Sequence, residues 1–486
     1  MSSARRLARP PAALAALLGA TAVVSLGWIA ASPAFQAPDE NAHFGYVQSL
    51  AERGRIPESG GARLLSTEVN RAAAAANSFQ TQQRPGTKPE WSKNAHDDYL
   101  ERAAREGDAI RKDGGGNPAG VNPPLYYLWE VPAYSIASGG DVFARVTVMR
   151  LWSIPFLLVT VAATWLLAGT VFGPRPDLQL AAAAVPALLP MVTFISTSIT
   201  PDSLTFALWS VAFLLGARIL LRQSGMLELA ALFGISGLAV ATKTSSFALA
   251  PAVLLVSGVA LWRNRHRRHE AATVLVSGAL LLTATAGTWF AVSGSANRSA
   301  APQISEFATL EHFDPAAFGS YVWQFYLPRL SFQTGYPQLS EWPPQAYEFW
   351  LEKSWGAFGW LEVRWPSRVY WLLGLAGLAV GLAALYAIWR RRARVSRPLI
   401  AFFVLATGTL LFGLHWTEFK MLRDTHVLIN QGRYLFPLIS LAGLAAAAAL
   451  TVVPVRARSA TLGVALGAGA SLSLLSIGLT AARFYA

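Results

Sequence analysis

The chain has 486 residues, of which 53% are hydrophobic and only 14% charged, with a formal net charge of +13. Soluble domains carry roughly a quarter charged residues, so a fully water-facing surface is excluded and lipid is the implied outer solvent. The basic balance does not read as nucleic-acid binding, because the arginines fall between apolar runs instead of sharing one polar face. With no cysteine in the chain, disulfides, thiolate nucleophiles and cysteine-bound metals drop out as well.

About 20 predominantly apolar residues are needed to cross a bilayer as a helix. That rule predicts spans near 11–32, 149–172, 179–198, 202–222, 227–242, 246–262, 271–293, 369–389, 398–414, 434–453 and 460–481. The expectation is an all-α polytopic membrane protein with about eleven transmembrane helices. The runs at 227–242 and 246–262 are short and also read as half-spans meeting at Lys243. Arg5 and Arg6 ahead of the first run fit a secretory leader, but the run is long for one and is read as a retained span.

Arginine placement sets the orientation. Arg5, Arg6 and Arg9; Arg175; Arg218 and Arg222; Arg263, Arg265, Arg267 and Arg268; Arg390, Arg391, Arg392, Arg394 and Arg397; and Arg456 and Arg458 all fall on one side of an alternating threading. By the positive-inside rule that side is cytoplasmic, giving N-in and C-out in an inner (plasma) membrane. Residues 1–486 then form a single transmembrane domain with two long extracytoplasmic segments, 33–148 and 294–368. Connections this long are usually functional or disordered. In the first, Ala42 to Arg53 reads as an amphipathic helix, 59–118 is a polar stretch, and Pro123 to Trp129 turns apolar as an interfacial helix.

Five charges on the predicted outer side stand out. Asp39-Glu40 follows the first span, with His43 one turn on; a carboxylate there suits proton acceptance or a divalent cation, and helix capping accounts for it equally well. Asp202, in Thr200-Pro201-Asp202, sits at the turn of a short hairpin and also reads as an N-cap. Lys243 and Arg433 break the positive-inside bias, which a phosphate partner would explain and simple snorkelling would also allow. The charges between His415 and His426 read as a solvated face. The histidines lack metal-ligand spacing, which argues against zinc, and a divalent cation on Asp39 and Asp202 is left open.

These pieces, in order, resemble the GT-C superfamily of membrane glycosyltransferases, most closely its uncharacterised bacterial branch of predicted multi-pass membrane proteins. The pieces are Pro38-Asp39-Glu40 with His43, Asn122-Pro123-Pro124-Leu125-Tyr126-Tyr127, Thr200-Pro201-Asp202, Lys243, Trp355-Gly356-Ala357-Phe358-Gly359-Trp360, and Gly432-Arg433-Tyr434-Leu435-Phe436-Pro437. The resemblance implies inverting transfer of a sugar from a polyprenyl-phosphate-linked donor to a glycan, lipid or protein acceptor on the outer face. It implies Asp39 as base or metal ligand, Glu40 and Asp202 as companion catalytic acids, and His43, Tyr126, Lys243, Arg433 and Tyr434 as substrate-binding residues. The polar stretch 59–118 matches nothing in that pattern. A transporter or flippase of lipid-linked sugars, or a non-catalytic scaffold, are the other readings; the first would favour inverted repeats and midplane charges, which the sequence lacks.

Overall fold

The computed structural model describes residues 11–59, 65–78, 92–222, 226–263, 314–340, 342–393 and 395–485, with scattered residues between 265 and 289. Helices long and apolar enough to span a membrane are Ala12–Ala31, Val142–Phe172, Asp202–Leu221, Thr244–Arg263, Ser367–Arg390, Arg397–Thr425, Gly432–Leu450 and Val455–Tyr485. Each falls on an expected span. The expected span 271–293 lies largely outside the described residues.

One expected span is not a single rod. The run at 179–198 divides into Pro176–Leu188 and Pro190–Ser196, bent by 60°. Pro190 lacks the amide that would continue the helix, and its ring crowds the carbonyl four residues back. Met226–Thr242 is the shorter apolar helix. It ends where Lys243 opens a 3-10 turn, Thr244–Leu249, that leads into Ala250–Arg263.

Burial orders the bundle. In Asp202–Leu221 72% of the apolar window is buried, against 11% in Ser367–Arg390 and in Val455–Tyr485, so the first is central and the other two are peripheral. Asp202–Leu221 packs on Val142–Phe172 and Met226–Thr242, while Ile439–Leu450 packs on Pro176–Leu188 and Ser367–Arg390. On Ser367–Arg390, Leu372, Leu375, Leu378, Leu382, Leu385 and Trp389 are all exposed. Their spacing of three and four makes one helix face, a stripe that water would penalise and acyl chains would solvate.

The segment after Ala31 has a core of its own. Glu40–Arg53, Thr67–Ala75, Lys93–Glu106 and Leu125–Ile136 gather around Phe35, Phe44, Tyr46, Val69, Tyr127 and Tyr134. The polar stretch is tied into it by Glu68, whose buried carboxylate meets Arg145 at 2.5 Å and accepts from Gln48 at 2.6 Å. In the later segment, Ala357–Phe358 pairs antiparallel with Val363–Arg364, so the Trp355–Trp360 motif closes as a small hairpin. Phe358 packs on Trp28 near the end of the first helix, and Trp360 Nε1 donates to the Phe35 carbonyl at 3.1 Å.

Candidate functional site

Asp39 and Asp202 both stand at helix starts, yet neither side chain caps its helix. Asp39 instead adopts left-handed backbone, φ 62°, as does Phe35 at φ 63°. That conformation costs a non-glycine residue about 1–2 kcal/mol, and strain of this kind persists only where surrounding contacts over-determine it. It turns the Asp39 carboxylate away from its own helix and toward Arg433.

Arg433 is the hub. Its Nη2 donates to Asp39 Oδ2 at 2.6 Å and its Nη1 to the Pro38 carbonyl at 3.4 Å. Its Nε lies 3.6 Å from Asp202 Oδ2. Lys243 Nζ donates to the other oxygen of Asp202. Tyr434 lies beneath both cations, its ring 4.8 Å from Lys243 Nζ and 5.5 Å from the Arg433 guanidinium. Two acids and two cations, drawn from positions 39 to 433, thus meet at one end of the bundle. Arg433 and Asp202 are buried, whereas Asp39 keeps 48% and Lys243 20% of side-chain surface accessible. The open side of the cluster is therefore a carboxylate beside an ammonium.

Arg433 can pass so close because Gly432 precedes it: a Cβ there would lie 2.4 Å from the Ser354 amide nitrogen. Burial raises the Asp39 pKa, but the Arg433 cation and its hydrogen bond, with His43, outweigh it and hold the carboxyl below its usual range. His43 Nδ1 lies 2.9 Å from the Tyr127 hydroxyl. Burial drives its pKa down to about 4 against the pull of Asp39, so the imidazole is neutral near pH 7. Between its ordinary value and about 4, the unfolded chain binds the extra proton. The His43 contribution to stability is therefore complete above pH ~6.5 and is lost as pH falls toward 4. We expect His43→Asn to flatten denaturation midpoints across that window; an unchanged slope would contradict this.

Glu40 and Tyr126 are corrections. Expected beside Asp39 in the site, Glu40 is fully buried and locked to Arg150, with Nε at 2.8 Å and Nη2 at 2.6 Å. Its oxygens also accept from the Phe35 amide at 2.9 Å and the Ile199 amide at 3.2 Å. Arg150 in turn donates to the carbonyls of Ser32 and Pro33. This one ion pair thus fastens both acid-bearing loops, 32–39 and 199–202. Tyr126, expected to bind substrate, is also fully buried. Its hydroxyl accepts from the Thr200 amide at 2.9 Å and meets Ser153 Oγ at 3.2 Å, so it props the Asp202 turn from below.

Sequence comparison identifies the family. The family described as predicted membrane protein DUF2142 matches residues 23–442. The chain belongs to DUF2142. Among the curated proteins none matches. Solved structures similar to this DUF2142 member include ArnT from Cupriavidus metallidurans in the apo state, at 16% identity and a TM-score of 0.48, covering 92% of this chain and 62% of that one. ArnT bound to undecaprenyl phosphate is similar at 15% identity and a TM-score of 0.46. The oligosaccharyltransferase AglB from Archaeoglobus fulgidus, in complex with an inhibitory peptide and a dolichol-phosphate, is similar at 13% identity and a TM-score of 0.49, covering 97% of this chain and 55% of that one. The chain therefore spans about three fifths of ArnT and just over half of AglB.

In the DUF2142 chain the donor set does not suit a divalent cation as it stands. Asp39 and Asp202 each face a protein cation, and among the described residues no group of three or more His, Cys, Asp or Glu is arranged to hold a metal. Sequence reasoning missed Arg145, Arg150 and Glu130. The signal was there: Arg145 and Arg150 head a span on the predicted outer side, the same breach of positive-inside that marked Lys243 and Arg433. Glu130 accepts from Ser153 Oγ at 2.8 Å, and burial raises its pKa to about 8.

Proposed function

We propose that this protein is an inverting glycosyltransferase that moves a sugar from a polyprenyl-phosphate-linked donor to an acceptor at the extracytoplasmic face of the inner membrane, threaded N-in and C-out. The observation that carries this reading is the meeting of Asp39, Asp202, Lys243 and Arg433 in one cluster with a partly open face. A buried ion-pair set that served stability alone would be sealed, and apolar replacement would do as well.

In the reaction, the acceptor oxygen attacks the anomeric carbon as the bond from that carbon to the phosphate oxygen breaks. The acceptor proton passes to Asp39, and the bonding electron pair leaves with the polyprenyl phosphate. A single in-line displacement inverts the anomeric centre. Arg433 has five N–H donors and Lys243 three, and few of them are engaged by Asp39, Pro38 and Asp202. Lys243, on the open side, keeps donors for the phosphate as its charge grows, and buried Arg433 adds positive charge behind it, the role that preorganised cations fill best. Asp202 holds Lys243 in position. A flippase would need charge exposed from two sides in turn, whereas these charges gather at one end of the bundle.

The test uses the carrier that the reaction releases. The purified chain in nanodiscs should retain undecaprenyl phosphate and release undecaprenol of the same length in native mass spectrometry. Equal retention of the phosphate and the alcohol would remove the phosphate site and the reading with it.

A further inference from the structure

A cleft lies where Lys353 backs onto the loop that carries Arg433. Gln338, Ser340, Gln345, Glu348, Lys353 and Leu428 border a cleft of about 380 Å³. A neighbouring hollow of about 460 Å³ continues it past Pro337 toward Tyr336 and Gln324. The two are on the scale of small-molecule sites.

Its chemistry is that of hydroxyl recognition. The Gln338 amide and the Ser340 hydroxyl border the cleft with no hydrogen bond to described residues, which leaves donors and acceptors together. Gln345 is buried and fixed, accepting from the Ser340 amide at 2.9 Å and donating to Glu348 Oε2 at 3.1 Å. Glu348 is further held by Lys353 at 3.1 Å and Arg364 at 3.4 Å. Those cations keep its carboxyl below the usual range against the effect of burial. The ordered acid is thus an acceptor whose charge is already balanced by Lys353 and Arg364. A neutral ligand dense in hydroxyls fits this lining.

Position ties the cleft to the cluster. Lys353 and Ser354 form the backbone against which Gly432 packs, and the next residue is Arg433. We propose that this cleft, backed onto the Arg433 loop, seats a saccharide acceptor; the assignment rests on the glycosyltransferase reading above.

The chain has no native cysteine, so a single one reports cleanly. In a host whose sole copy is Gln338→Cys, a bulky maleimide should cut glycan product about 100-fold, the order of cost of misplacing a reactant, while lipid-linked donor accumulates. A methyl-sized thiol modification should leave product intact, as should the bulky label on Gly139→Cys, an exposed position with nothing within 4 Å. The labelled Gln338→Cys chain should still retain undecaprenyl phosphate; loss of that retention would assign the effect to the donor site and overturn the proposal. Product at the unlabelled level with the bulky label in place would overturn it too. If Asp39→Asn in the same host leaves product unchanged, the transferase reading itself fails, a result separate from failure of the cleft alone.

Discussion

Replacing Arg150 with alanine is expected to destabilise the protein by about 3–5 kcal/mol, the usual cost of stranding one member of a buried ion pair. Glu40 would keep its charge in a pocket with no accessible surface, left with two backbone amides as partners. The carbonyls of Ser32 and Pro33 would lose their donors in the same step. Chemical denaturation in micelles measures the loss. The double variant Glu40→Leu, Arg150→Met should recover only part of the stability, since it removes the stranded charge but leaves the Phe35 and Ile199 amides and the Ser32 and Pro33 carbonyls unpaired. It should not recover transfer, because the Phe35 and Ile199 amides would have no acceptor and the two acid loops would lose their common tie. Full activity in that double variant would mean that the pair serves folding and not the geometry of the site.

Arg433→Lys is expected to weaken retention of undecaprenyl phosphate by about 10- to 100-fold, the range of one to two hydrogen bonds to a charged group. The substitution keeps the charge and removes the fork. A guanidinium reaches Asp39 Oδ2, the Pro38 carbonyl and the edge of Asp202 at once, whereas one ammonium does not span them. Lys243, 4.8 Å over the same tyrosine, gives one donor to Asp202 and offers no planar fork in place of the one removed. Titration of the variant in nanodiscs against the wild type gives the ratio. Equal affinities would show that charge alone suffices there.

The bundle was readable from sequence because lipid imposes a length rule that apolar runs obey. The described spans fall on the expected ones, from Ala12–Ala31 to Val455–Tyr485. The 60° bend before Pro190 was not anticipated, although the proline that causes it was in view. Of the site, Asp202, Lys243 and Arg433 stood out because charge at the outer end of an apolar span needs a reason. Glu40 went the other way from its neighbour for a backbone cause: left-handed Asp39 sends consecutive carboxylates to different partners, Arg433 for one and Arg150 for the other. Nothing in local periodicity encodes a pairing across 110 positions, and the same holds for Glu68 with Arg145 across 77. The cleft near Lys353 was invisible for a related reason, since Leu428 and Gln338 join only once the later segment folds against the Arg433 loop.

The central claim is that Asp39 accepts the proton in a sugar transfer from a lipid phosphate. Asp39→Asn keeps the shape and a hydrogen-bond acceptor for Arg433 but removes the base, so transfer should fall by about 10²- to 10⁴-fold. The direct measurement is a profile of lipid-linked sugars and envelope glycans in cells carrying Asp39→Asn as the only copy. Accumulated donor with missing glycan is the predicted result; unchanged glycans with the variant expressed at the normal level would contradict it.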